Sequence, residues 1–123
     1  MKRIFLVDDS GTILMSMSGI LQGAGFEVET AGDGEEALKK LNAGAKPDLI
    51  ITDLNMPKMN GMDLIAEVKS QSGFRFTPVL VLTTESQQDK RDEAKRLGAT
   101  GWLVKPVDAE QLLQVVRQVV PGA

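Results

Sequence analysis

The sequence predicts an α/β fold: a doubly wound, five-stranded parallel sheet in the order 2-1-3-4-5, with helices on both faces. Three observations predict it. Short apolar runs, too brief for helices, recur along the chain at Ile4–Val7, Leu49–Ile51 and Val79–Leu82. Between them lie longer segments whose apolar residues fall at helical spacing. The runs are unbroken rather than alternating, as in strands covered on both faces, and the strand–helix alternation implies parallel pairing.

The first run ends in Asp8-Asp9-Ser10, a strand followed by a helix N-cap at Ser10. From Gly11, residues Ile13, Leu14, Met17, Ile20, Leu21 and Ala24 define one helical face, with Gly25 placed to stop it. Met15 and Met17 read as helix packing. Phe26 to Thr30 alternates apolar and charged residues, the pattern of a half-exposed edge strand. A turn at Gly32-Asp33-Gly34 leads into a helix over Glu35–Ala43 with Ala37, Leu38 and Leu41 inward. Leu49, Ile50 and Ile51 form the third strand, and Pro57 and Gly61 mark the irregular loop after it. The next helix starts near Gly61 with Leu64, Ile65 and Val68 inward.

Pro78 opens the fourth strand, which ends in Thr83-Thr84-Glu85. Ser86 is placed to cap a charged helix over Gln87–Leu97, where Asp92 and Arg96 stand at i,i+4 and Gly98 ends the helix. The fifth strand, Gly101–Val104, ends in Lys105-Pro106, and Asp108 caps a last helix with Leu112, Val116 and Val119 on its core face. Leu113, Val115 and Val120 fall off that face, which predicts exposed apolar surface shared with the fourth helix and Trp102.

The 123 residues suffice for one core and one domain, 1–123, with none left over for an effector. A net charge of −3 argues against a nucleic-acid surface. No segment is apolar enough over sufficient length for a signal peptide or membrane span, so a cytoplasmic location is expected. Cysteine and histidine are both absent, which removes thiolate chemistry, the usual general base and the commonest transition-metal ligand. Carboxylate, hydroxyl and ammonium groups remain, and these suit hard cations and phosphoryl oxygens.

Those groups gather at the strand ends. Right-handed crossovers bring the carboxyl ends of all five strands to one edge of the sheet. In the 2-1-3-4-5 order the first and third strands are neighbours, so Asp8, Asp9 and Asp53 meet there, flanked by Thr83 and Lys105. Three unpartnered carboxylates would repel one another, and oxygen-only ligands favour Mg2+ as the relieving cation. Lys105 and the Thr83 hydroxyl can hold phosphoryl oxygens, leaving one carboxylate as nucleophile. Taken singly, Asp8-Asp9 also reads as a helix cap and Lys105-Pro106 as a turn; the joint occupancy of the strand ends points to phosphoryl transfer.

The chain resembles the receiver domain of two-component response regulators, specifically the single-domain, CheY-like chemotaxis type. The resemblance is carried by Val7-Asp8-Asp9-Ser10, Thr52-Asp53-Leu54-Asn55-Met56-Pro57, Met59-Asn60-Gly61, Leu82-Thr83-Thr84-Glu85 and Gly98 to Pro106, and it implies a cis peptide at Lys105-Pro106. It implies that Asp53 accepts a phosphoryl group from a phosphohistidine on a sensor histidine kinase. Asp9, Asp53 and the Asn55 carbonyl are then the magnesium ligands, with Asp8 acting through water. Lys105 and Thr83 serve the phosphoryl oxygens, while Asn55 and Glu85 tune dephosphorylation. Trp102 stands where the family has a Tyr or Phe switch residue, and Leu14 where chemotaxis members often carry a basic one. Gln87, Gln88, Val115 and Gln118 make the expected docking face, formed by the fourth helix, fifth strand and fifth helix, less basic than in flagellar-switch binders. The implied partners are the kinase and a downstream target or phosphatase, with the chain a monomer or weak dimer. A phosphate sink or scaffold is an alternative output. So is a small aspartate-based phosphohydrolase, since Asp9-Ser10-Gly11-Thr12 echoes such enzymes but lacks their second aspartate at Ser10.

Overall fold

The computed structural model describes residues 1–120 and 122. Five strands, β1 (Arg3–Val7), β2 (Glu27–Ala31), β3 (Leu49–Thr52), β4 (Val79–Thr83) and β5 (Gly101–Val104), form one parallel sheet ordered β2-β1-β3-β4-β5. Five α-helices alternate with them: α1 (Gly11–Gly23), α2 (Gly34–Asn42), α3 (Gly61–Ser70), α4 (Gln88–Leu97) and α5 (Ala109–Val119). A short 3-10 turn at Ser72–Phe74 precedes β4.

Alternate residues of each central strand feed two separate cores. Ile4 and Leu6 of β1 pack with Met17 and Leu21 of α1 and Leu112 and Val116 of α5. Phe5 and Val7 point the other way, into a layer with Ala37 and Leu41 of α2, Leu64, Ile65 and Val68 of α3, and Ala94 of α4. That two-sided burial is why the runs are apolar at every position. The edge strand β2 keeps its alternation, with Glu27 and Glu29 exposed and Ala31 buried.

Several local expectations change. Ser86 does not cap α4: the N-cap residue is Gln87, which makes no side-chain cap bond, and the Gln87 N–H is taken by Glu85 Oε1 at 3.1 Å. Asp92 accepts from the Gln88 side chain at 2.9 Å instead of pairing with Arg96. Met17 is buried as expected, but Met15 is 79% exposed, because it lies off the face set by Met17 and Leu21. The expected apolar surface on α5 is reduced, because Val120 is buried and Leu113 and Val115 are only partly exposed. Val120 follows the helix in extended backbone, φ −102° and ψ 109°, which returns its side chain to the core. Leu113 and Val115 are half-buried against the same cluster.

Candidate functional site

Hydrogen bonding beyond the strands fixes where the site residues sit. The Asp53 N–H donates to the Val7 carbonyl at 2.9 Å, extending the β1–β3 ladder past its last pair. The Asp8 N–H likewise donates to Ala31 O at 3.1 Å, and the Lys105 N–H to Thr83 O at 2.8 Å. The first residues after the strands are therefore held almost as firmly as the strands themselves, and they share one edge of the sheet.

At that edge Asp8, Asp9 and Asp53 each offer a carboxylate oxygen within 4.8 Å of the others. Asp8 and Asp53 are buried, while Asp9 faces solvent. Lys105 Nζ donates to Asp8 Oδ2 at 2.6 Å and to Asp53 Oδ2 at 3.0 Å, both charge-assisted bonds. Burial alone would lower the Lys105 pKa. The hydrogen bonds to Asp8 and Asp53, with the charges behind them, outweigh burial and raise it. One ammonium against three carboxylates leaves the pocket with excess negative charge, and the open side at Asp9 gives a hydrated cation access to it. The donor set, all oxygen and part exposed, fits Mg2+ better than a softer metal.

The carboxylates of Asp8 and Asp53 are each oriented through the other oxygen. Asp8 Oδ1 accepts the Ser10 N–H at 2.9 Å, and Asp53 Oδ1 accepts the Leu54 N–H at 2.7 Å. Gly61 packs directly under Asp53: a Cβ there would lie 2.1 Å from the Asp53 carbonyl oxygen, so only glycine fits. Ser10 caps α1, its hydroxyl accepting the Ile13 N–H at 3.3 Å. The position at which a phosphohydrolase of the aspartate class needs a second carboxylate is therefore a helix cap.

Thr83 is fully buried at the end of β4, and its Oγ1 accepts the Glu85 N–H at 3.3 Å. Trp102 of β5 is half-buried and its indole N–H donates to the Glu85 carbonyl at 3.1 Å, with the Arg91 guanidinium 6.0 Å from the ring centroid. Asn55 is exposed at the start of the loop after β3. The Lys105–Pro106 peptide is cis.

The response regulator receiver domain model matches residues 4–117. The chain belongs to this family. It is 38% identical to chemotaxis protein CheY1 of Helicobacter pylori over 98% of this chain and 97% of that protein. It is 35% identical to chemotaxis protein CheY of Pseudomonas aeruginosa over 95% of this chain and 94% of that one. The solved structure of Vibrio cholerae CheY4 superposes with a TM-score of 0.92 at 50% identity, covering 97% of this chain and 98% of that chain. The fold and the CheY-like character read from the strand-end residues are borne out. As a receiver domain the chain falls among signalling regulators, and its acidic cluster fits the phosphorylation and magnesium binding typical of them. No helix of the described residues is long and apolar enough to cross a membrane.

The sequence reading missed the Leu54 N–H that orients Asp53, and the contact of the Asp33-Gly34 turn with the loop after β3. A backbone donor leaves no mark in residue identity. Asp-Gly did mark the turn, but not what the turn touches.

Proposed function

We propose that this receiver domain accepts a phosphoryl group on Asp53 from a phosphohistidine of a sensor histidine kinase. The observation that carries the proposal is the convergence of Asp8, Asp9 and Asp53 with Lys105 bonded to two of them. An Asp53 carboxylate oxygen attacks phosphorus; the P–O bond forms as the P–N bond breaks, and the electron pair stays on the leaving imidazole nitrogen. Lys105, 3.0 Å from Asp53, neutralises charge on the incoming phosphoryl oxygens, and Thr83 donates its hydroxyl to another of them. Asp9, Asp53 and the Asn55 carbonyl would hold Mg2+, with Asp8 acting through water. A magnesium ion bound there supplies positive charge that offsets carboxylate repulsion and the charge of the phosphoryl oxygens.

When Thr83 Oγ1 turns to the phosphoryl group, the Glu85 N–H loses its acceptor, and the Glu85 carbonyl is the one holding Trp102. That connection carries the change to Trp102 and to the face of α4, β5 and α5, where a target protein or phosphatase docks. Asn55 and Glu85 govern water access to the acceptor and hence dephosphorylation. The protein turns over only its own phosphoryl group, works in the cytoplasm and acts in chemotaxis or a related pathway, a reading supported by its chemotaxis relatives.

Incubation with acetyl phosphate and Mg2+, followed by intact mass, tests this. One acid-stable, base-labile phosphoryl adduct is expected, absent from Asp53→Ala and from samples treated with chelator. An adduct that persists in Asp53→Ala would overturn the assignment.

A further inference from the structure

We infer that the Asp33-Gly34 turn is a positioning element for the Asp53 carboxylate, acting through the loop between β3 and α3. The inference rests on Asp53 being the phosphoacceptor.

The inner side of that loop is fastened to the acceptor. Leu54 donates its N–H to Asp53 Oδ1 at 2.7 Å, and the Leu54 carbonyl accepts the Gly61 N–H at 2.9 Å, closing residues 54–61 into a ring. Any displacement of the ring therefore turns the carboxylate. The outer side is fastened to α2. The Gly34 N–H donates to the Met59 carbonyl at 3.2 Å, and the two backbones touch: a Cβ on Gly34 would lie 2.5 Å from Met59 O and 2.9 Å from Met59 Cβ. Next to it Lys58 has φ +66°, the left-handed region that a lysine holds only when its surroundings impose it.

Asp33 works in two directions. Its Oδ1 caps α2 by accepting the Glu36 N–H at 2.8 Å, while Oδ2 stands 4.0 Å from Lys58 Nζ. Leu54 and Met56 are buried in the same core as Ala37 and Leu41, so ring and helix move together. Nucleophilic attack depends on placement of the carboxylate to a fraction of an ångström. The start of α2, which carries none of the reacting groups, is thus set to govern the rate.

Two variants with different structural consequences test this. Gly34→Ala forces the Met59 backbone away. Lys58→Gly relieves the left-handed residue without a clash and loosens the ring. Phosphorylation by acetyl phosphate at saturating Mg2+ is measured beside thermal midpoints, with Gly101→Ala as the control. A Cβ at Gly101 meets Leu80 Cδ2 at 2.8 Å, a core clash remote from the loop. Gly34→Ala is expected to slow the maximal rate at least about tenfold with the donor KM unchanged. Lys58→Gly should slow it about threefold with the midpoint held or raised. Gly101→Ala should lose stability with its rate within about twofold of the parent. Parental rates in the two loop variants, or rates in all three that follow stability alone, would overturn the inference. Should Gly34→Ala fail to fold, Lys58→Gly decides. If the parent itself takes up no phosphoryl group, the functional reading fails instead. The Leu54 amide resonance then tests the brace alone: it must move in both loop variants and stay in Gly101→Ala.

Discussion

Helices α4 and α5 flank the same edge strand, β5, from opposite faces, and they are held in contrasting ways. Asp108 caps α5 through the Gln111 N–H at 2.7 Å, and the helix sinks Leu112 and Val116 completely. Ser10, Asp33 and Asn60 cap α1, α2 and α3 in the same fashion. Helix α4 has no side-chain cap at Gln87 and buries only Ala94, while seven of its ten residues are charged. It is the helix with the least to lose by shifting, and it begins just after Glu85, which joins the Thr83 hydroxyl to Trp102. On the proposed function, phosphorylation at Asp53 would supply only a modest free-energy bias, so the element it moves must be weakly anchored.

The largest expected effect tests the firm side. Leu112→Ala empties a fully buried site between α5 and the sheet and should cost about 3 kcal/mol in urea denaturation. A loss under about 1 kcal/mol would place α5 with α4 and erase the contrast. Next comes the acidic pocket. Lys105→Met leaves Asp8 and Asp53 without their shared cation and should cost about 2 kcal/mol in chelator, discounted from the fully buried case because Asp9 keeps the pocket open to water. Added Mg2+ should recover part of that loss; equal losses with and without the ion would show that the carboxylates do not share a cation site.

Much of the contrast was legible in the sequence. Asp108 before an apolar face and the charge density of α4 are local features, and local features set caps and exposure. The strand-end carboxylates were legible too, since parallel topology converts positions far apart in the chain into one edge of the sheet. What failed were competitions between neighbours. Ser86 had the right chemistry for a cap, but α4 starts at Gln88, so the N-cap position falls on Gln87, whose N–H is held by Glu85 Oε1. Val120 looked exposed on a helical projection because α5 ends one residue earlier, at Val119. The contact between Gly34 and Met59 has no local signature, because it depends on how two loops of different crossovers meet.

The weak anchoring of α4 can be repaired, which sharpens the comparison further. Gln87 already has the extended N-cap conformation, φ −66° and ψ 135°, so Gln87→Ser should supply the missing cap and stabilise the protein by about 1 kcal/mol. Slower amide exchange confined to α4, together with a smaller phosphorylation-dependent change in Trp102 emission, is the expected pair of results. Exchange slowed throughout the molecule would mean that α4 opens only with global unfolding.

The smallest effect is predicted for Arg91. Its guanidinium lies 6.0 Å from the Trp102 ring centroid, at the outer limit of a cation–π contact, and the side chain is exposed. Such a contact contributes about 0.5 kcal/mol. Trp102 is the single tryptophan, so Arg91→Ala should shift its emission while leaving the denaturation midpoint nearly unchanged. A midpoint loss approaching that of Leu112→Ala would mean that α4 is pinned to β5 through Arg91. The helix would then be anchored by stacking rather than burial, and the signal from Asp53 would have to break that contact before α4 could move.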